Sequence, residues 1–197
     1  HLDQNLLMLL KHADKDVRST AAMALRKLGV KQVVPEILKL LENKDAEVRS
    51  EGILTLYYMG AKETFPEVFS VMKDKDEDRN VRSHAVSMLG HLGMKDAAPE
   101  ILNLLKDGDA NLRGPAIGAL GYLGMKEAVP EILKILKDEQ EKTVLYAAAE
   151  ALGRLGAKEA VPQLTEMLKD NNPIVVAAAE QALKQLQVEK EKEPAGK

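Results

Sequence analysis

The 197-residue chain contains no cysteine and no tryptophan, and aromatics make up only 3% of it. Without cysteine there are no disulfides, no zinc–thiolate sites and no thiol chemistry, which suits a reducing, cytoplasmic setting. A core here has to be built from Leu, Ile, Val, Met and Ala. Neither sign of charge dominates: charged residues are 30% of the chain and the formal net charge is -3. Nucleic-acid and anionic-membrane proteins need clustered Lys and Arg, so neither partner is expected. No run of about 18 apolar residues is present, so no membrane span is expected. The chain opens HLDQNLLMLL, without Met and without a signal-peptide pattern, and His1 reads as a boundary within a longer reading frame.

What the chain does have is a period. Asp16–Arg18 (DVR), Glu47–Arg49 (EVR), Asn80–Arg82 (NVR) and Asn111–Arg113 (NLR) recur at spacings of 31 to 33 residues. In step with them run Gly29, Gly60, Gly93, Gly124 and Gly156, then Pro35, Pro66, Pro99, Pro130 and Pro162. A period of this length is the mark of stacked supersecondary units. Each unit reads as two antiparallel helices. The first, helix A, starts at a cap: Asp14, Asp45, Asp78, Asp109, Glu141 or Asn172. It shows apolar residues at helical spacing and ends on the glycine, which takes the left-handed conformation of a helix stop. Helix B carries proline in its first turn. Small residues at Ala21, Gly52, Ala85, Ala116, Ala148 and Ala179 form a column that admits close helix approach. No segment reads as a strand.

The fold expected is therefore all-α, a right-handed α-solenoid (α-α superhelix) of about six helical-hairpin repeats. A single array spans 1–187, with a half-repeat at 1–13, repeats starting near 14, 45, 78, 109, 141 and 172, and a polar tail at 188–197. The half-repeat brings Leu6, Leu7, Leu9 and Leu10 without a preceding helix A, so association through this end is a further expectation.

The consensus D-x-x-V-R-x-x-A-x-x-A-L-x-x-L-G-x-K-E-A-V-P-x-L-x-x-L-L resembles the HEAT-like repeats of the phycobilisome-lyase class. The resemblance implies an arginine–aspartate ladder between neighbouring repeats: Arg18, Arg49, Arg82 and Arg113 pairing with Asp14, Asp45, Asp78 and Asp109 as a structural device. Leu145 and Val176 occupy the arginine column in the last two copies, so the ladder should stop near the fourth repeat.

Enzymatic readings find little here. The resemblance brings in deoxyhypusine hydroxylases, which need His-Glu pairs for iron, and this chain has none; His84 and His91 stand alone on one helix A. DNA glycosylases of this repeat type need a basic, aromatic groove. The glycine-rich NLRGPAIGALGYLG, Asn111–Gly124, lies inside a helical unit and lacks the strand-to-helix turn of a phosphate loop; Pro115 should weaken or bend that helix. In Asp74–Asp78 the D-x-D-x-D spacing imitates a calcium loop, but Arg79 and Ala85 stand where glycine and glutamate are needed. No catalytic residue, metal or cofactor is assigned.

The resemblance places helix B on the concave face. Its exposed positions are largely acidic: Gln32, Glu63, Asp96, Glu127 and Glu159; then Glu36, Glu67, Glu100, Glu131 and Gln163; then Lys39, Ser70, Asn103, Lys134 and Glu166; and last Asn43, Asp74, Asp107, Asp138 and Asp170. Acids in a first helical turn also favour the macrodipole. Phe65 and Phe69 read as core, while Tyr57 and Tyr58 form a candidate contact patch. The function expected is a non-enzymatic protein-binding scaffold whose partner-binding face includes Glu36, Lys39, Glu67, Ser70, Glu100, Asn103, Glu131 and Lys134, suited to a partner protein with a basic segment. The alternative is a subunit of a lyase-type enzyme that attaches or handles a prosthetic group.

Overall fold

The computed structural model describes residues 2–12, 14–28 and 31–192. Gly29 and residues 193–197 of the expected tail lie outside the described residues. Twelve α-helices are present among the described residues, and no strand: α1 Leu2–Leu9, α2 Lys15–Leu28, α3 Val34–Leu38, α4 Ala46–Met59, α5 Phe65–Lys73, α6 Arg79–His91, α7 Ala98–Leu104, α8 Ala110–Leu123, α9 Val129–Asp138, α10 Lys142–Arg154, α11 Val161–Met167 and α12 Pro173–Lys192. The architecture is all-α, of the stacked-hairpin α-solenoid class. The chain divides into two compact units, His1–Met94 and Lys95–Lys197. In the first, α2, α4 and α6 stack in series as the helices A, with α1, α3 and α5 as helices B beside them. In the second, α8, α10 and α12 stack in the same way, with α7, α9 and α11 alongside.

The caps follow from side-chain length. Asp14, Asp45, Asp78 and Asp109 each accept the backbone N–H two residues on, at 2.8, 2.9, 2.8 and 2.9 Å, and Asn172 does so at 2.9 Å. Glu141 has cap backbone geometry but makes no side-chain cap bond, contrary to the sequence expectation. Its carboxylate stands one methylene further from the backbone than an aspartate's. Glu139 instead accepts from the N–H groups of Gln140 and Glu141, both at 2.9 Å. At the other end Gly60, Gly93, Gly124 and Gly156 take φ between 65° and 74°, the left-handed stop that only glycine adopts at no steric cost.

Each helix B after α1 opens with a 3₁₀ turn, and proline follows at the start of the α-helix, where a missing N–H costs nothing. Pro115 sits inside α8, yet the helix runs unbroken from Ala110 to Leu123. The sixth repeat does not stop at 187: α12 continues to Lys192.

The core repeats with the sequence. Ile37, Val68, Ile101, Ile132 and Leu164, one per helix B, are fully buried, as are Leu56, Leu120 and Leu152 of helices A. Such side chains contribute roughly 1.5–3 kcal/mol each. The expected core aromatics are only half-buried: Phe65 and Phe69 stack at 5.2 Å, with Lys73 Nζ 5.3 Å over the Phe69 ring. The Phe69 column lies at the edge of the apolar stripe, for Leu38, Leu102 and Leu133 are half-buried too, whereas in the Phe65 column Val34, Ala98 and Val129 are buried. In the half-repeat Leu10 is fully buried, while Leu9 is 39% exposed and Met8 73%.

Close approach of α8 and α10 rests on one missing methyl. A Cβ at Gly121 would lie 2.9 Å from both Cα and Cβ of Ala151, whereas one at Gly118 would meet nothing within 4 Å. Gly121→Ala should therefore destabilise by about 1–3 kcal/mol through overpacking. Gly118→Ala should be neutral or stabilising by up to about 1 kcal/mol, since alanine is the better helix former. Chemical denaturation of both variants checks this pair, and a Gly121→Ala midpoint equal to that of Gly118→Ala would contradict the close approach.

Candidate functional site

The most elaborate polar geometry belongs to the arginine column. Arg49 Nε lies 2.9 and 3.1 Å from the two Glu77 oxygens and its Nη2 2.5 Å from Oε1, while Nη1 donates to the carbonyls of Asn43 (2.7 Å) and Lys44 (3.0 Å). Arg113 repeats the arrangement, with Nη2 2.7 Å from Glu139 and Nη1 2.9 Å from the Asp107 carbonyl. Arg18 donates to Glu47 at 2.5 Å and to the His12 carbonyl at 2.9 Å. One guanidinium thus joins its own helix A, the end of the preceding helix B and a carboxylate at the start of the next repeat. Its planar fork suits this role as lysine's ammonium would not.

The carboxylates are not the expected aspartates. Asp14, Asp45, Asp78 and Asp109 spend their oxygens on helix N-termini, and the arginines meet Glu47, Glu77 and Glu139. These stand two after, one before and two before their repeat's cap, so no single column marks them. Arg82 departs further. The longer loop at 74–77 carries the usual carbonyl away, and Nε donates to the Met72 carbonyl at 3.1 Å; it makes no ion pair among the described residues. Past Arg113 an inter-repeat pair still forms, between Lys142 and Asp170 at 2.8 Å. That contact holds the Asp170 carboxyl below its usual range, assisted by the Asn172 N–H.

The proposed partner-binding residues fall into two sets, one per unit. Glu36, Lys39, Glu67 and Ser70 are exposed on α3, the turn after it, and α5. In the second unit Asn103 and Lys134 are exposed, and Glu100 and Glu131 half-buried. Lysines one turn on moderate two of the acids: Lys39 Nζ is 2.6 Å from Glu36, and Lys134 Nζ 3.8 Å from Glu131. In the last row, Asn43, Asp74, Asp107 and Asp170 each accept a backbone N–H two residues on and so hold the turns between repeats. Carboxylates of these rows that stay exposed without a cation partner among the described residues are Glu63, Glu67 and Asp74 in the first unit, and Asp96, Glu127, Asp138 and Glu159 in the second.

Aromatic groups cluster elsewhere. Tyr57 and Tyr58 rings lie 5.2 Å apart, and Tyr57 meets the His91 ring at 5.4 Å edge-on. The sequence reading missed a second group. Arg154 stacks 4.1 Å over the Tyr122 ring, its Nη2 3.1 Å from the Tyr122 hydroxyl. Tyr146 is nearby in electrostatic terms: burial, then the Glu150 carboxylate, push its hydroxyl above the usual value. Tyr122 and Arg154 hold the same position one repeat apart, which was the available signal. His84 Nδ1 lies 2.6 Å from Ser50 Oγ, and His91 Nδ1 2.8 Å from the Ser87 carbonyl. Among the described residues no three His, Asp or Glu side chains are grouped to hold a metal, and no helix is long and apolar enough to cross a membrane.

Hairpins repeating one core, one glycine stop and one arginine position define a helical-repeat protein. The chain belongs to the HEAT-repeat family: HEAT repeats match residues 2–74, 65–124 and 98–184. No curated protein matches it in sequence. Solved structures share the fold. The complex of CpcE and CpcF of phycocyanin lyase from Nostoc sp. PCC7120 is similar at TM-score 0.67 and 24% identity, over 80% of this chain and 66% of that one. This chain therefore spans just under two thirds of that relative's length. The karyopherin Kap121p bound to the extreme C-terminus of the protein phosphatase Cdc14p is similar at TM-score 0.70 and 15% identity, over 95% of this chain and 23% of that one. A designed armadillo repeat protein matches at TM-score 0.55 and 18% identity, over 94% and 100%. The fold is thus that of stacked helical repeats, and the similar solved structures include protein complexes.

Two outcomes follow from the arginine geometry. Arg49→Ala should cost roughly 1–3 kcal/mol, because it strands the largely buried Glu77 and frees two carbonyls; equilibrium urea unfolding reads this, and an unchanged midpoint would show the fork to be idle. Glu139 gives a pH signature. Burial raises its carboxyl pKa, but the Glu141 N–H, the Arg113 guanidinium and the Gln140 N–H outweigh it and hold the group below its ordinary 4.5. A depressed folded pKa contributes stability fully present above pH 4.5 and lost as pH falls through the lowered value. Glu139→Gln should flatten this acid limb of the melting-temperature profile, and an unaltered limb would remove Glu139 from the linkage.

Proposed function

We propose that this chain is a non-enzymatic scaffold that binds another protein through the exposed face of its second helices and favours a basic segment. The observation that carries the reading is a row of exposed carboxylates at equivalent positions, cation-free among the described residues: Glu63 in one unit, and Asp96, Glu127 and Glu159 in the other, with Glu67 one turn on from Glu63. Acids placed only to serve the macrodipole need no such accessibility. A second reading, a subunit of a lyase-type enzyme handling a prosthetic group, draws on the likeness to the phycocyanin lyase complex, which at 24% identity speaks for the fold.

Electrostatic recognition acts chiefly on encounter and specificity, and salt weakens it. A lysine- and arginine-rich 15-residue peptide serves as probe, titrated at about 50 and 300 mM salt, where the Debye length falls from roughly 14 to 6 Å. Glu63→Lys with Glu67→Lys should lower affinity at least about tenfold at the lower salt and by less at the higher. Glu141→Lys with Glu180→Lys, which alters the net charge equally away from this face, should have a much smaller effect. Equal losses in the two double variants would reduce the interaction to bulk charge and sink the reading.

A further inference from the structure

A groove of about 300 Å³ lies between α1 and α2, lined by Leu6 and Leu9 of the one and by Val17, Thr20, Ala21 and Ala24 of the other, with Asp16 its one charged residue. Later repeats close the same positions. Leu6 is half-buried, whereas Ile37 and Val68 in its column are fully buried. Val17 is half-buried too, while Val48, Val81, Val144 and Val175 are at most 4% exposed. Ala24 is half-buried where Thr55, Met88, Ala151 and Ala182 are at most 2% exposed, and Thr20 is exposed where Glu51 and Ala178 are buried. The cover in those repeats is the preceding helix A, for α2 lies on α4, α4 on α6, α8 on α10 and α10 on α12.

The second unit shows what such a cover must be. A Cβ at Gly114 would lie 3.8 Å from Val144 Cγ2, one at Gly121 2.9 Å from the Ala151 Cα, and one at Gly153 3.0 Å from the Ala182 Cα. The covering helix therefore runs parallel to the one it covers. It sets a small residue over the valine column and, seven residues on, a glycine over the alanine. Val17 and Ala24 keep the receiving half of that pattern, and a contiguous apolar opening of this kind marks a binding site.

We infer that this groove docks one α-helix of a partner protein, laid parallel to α2 so that it completes a hairpin with α1. The helix carries glycine where it crosses Ala24, a small residue seven positions earlier where it crosses Val17, and aliphatic side chains toward Leu6 and Leu9, the helix-in-groove mode of recognition. A second copy of this chain does not meet that description at its last helix A. There α12 has Lys184 at the position of Gly121 and Gly153, and an end-to-end stack would set that side chain on Ala24. The groove uses none of the carboxylates of the acidic face.

The test uses the full chain with ¹³C-labelled methyl groups and, as probe, a helix-locked copy of α8. The probe spans residues 109–124, acetylated and amidated, with Pro115→Ala and with Gly118→Lys and Tyr122→Asp joined as a side-chain lactam. Those two positions are open in α8 itself, since a Cβ at Gly118 would meet nothing within 4 Å and Tyr122 is 41% exposed. Methyl signals of Leu6, Leu9, Val17 and Ala24 should shift together along one saturating curve. Gly121→Leu in the probe should weaken binding at least about tenfold, and so should Ala24→Leu in the chain, because each fills the space kept for glycine. Should the chain variant fail to fold, the probe variant decides. The probe has no net charge, so its affinity should be equal at low and high salt, unlike that of the basic peptide. No saturable shift up to about 1 mM probe, shifts scattered over other apolar surfaces, binding that weakens with salt, or equal binding of the Gly121→Leu probe would overturn the inference. Concentration-dependent shifts of the same methyls without probe would also overturn it, and make a second copy the occupant.

Discussion

A hairpin of two short amphipathic helices cannot cover its own apolar face, and every other feature of this chain answers to that constraint. Stacking on a neighbour is the available solution. It demands that each repeat offer the same buried column, which is why Ile37, Val68, Ile101, Ile132 and Leu164 share one fate. It also demands short interhelical distances, met by small residues: where Gly121 faces Ala151 even one methyl is too much. Aromatic bulk has little use in such a layer, and the six aromatic side chains sit at its margins or on the surface.

Stacking alone leaves the junctions between repeats polar and unpaired, because one helix ends and another begins at each. The arginine fork meets that difficulty with a single side chain. Arg49 and Arg113 satisfy carbonyls at the end of one helix and hold the carboxylate that begins the next repeat. Where the loop lengthens, at Arg82, the fork reaches a different carbonyl and the carboxylate contact is gone. Where the arginine is absent, at Leu145, Lys142 with Asp170 ties the junction instead, and Leu145 lines a cleft there. Repetition therefore supplies its own controls: a position that breaks the pattern stands out against four that keep it.

Much of the local structure was legible from residue type. Aspartate caps, glycine stops and first-turn prolines obey backbone rules that act within three or four residues, so they could be read without knowing what lies across the interface. The same logic misled at Glu141, whose longer arm makes no cap bond, at Phe69, whose column lies at the stripe's edge, and at Phe65, half-buried where Val34 and Val129 are buried. Most acidic positions of the second helices are exposed, but Glu100, Asp107, Glu131 and Asp170 are half-buried. Their effective charge was not legible, because Lys39 and Lys134 reach back along the helix to Glu36 and Glu131.

The sequence by itself determined the all-α class, the repeat register, the helix ends and the absence of cysteine or tryptophan chemistry, since each depends on composition or on spacing along one helix. Only the tertiary structure decided which carboxylate each arginine meets, because Glu47, Glu77 and Glu139 occupy different positions relative to their caps and are selected by distance across the junction. It also decided that Arg154 lies over Tyr122, and that Gln163 and Leu145 line one cleft. Those pairings join residues 18 to 32 apart in the chain, and the physical reason is the same in each case: periodicity sets which face a side chain is on, but packing between helices sets what it touches.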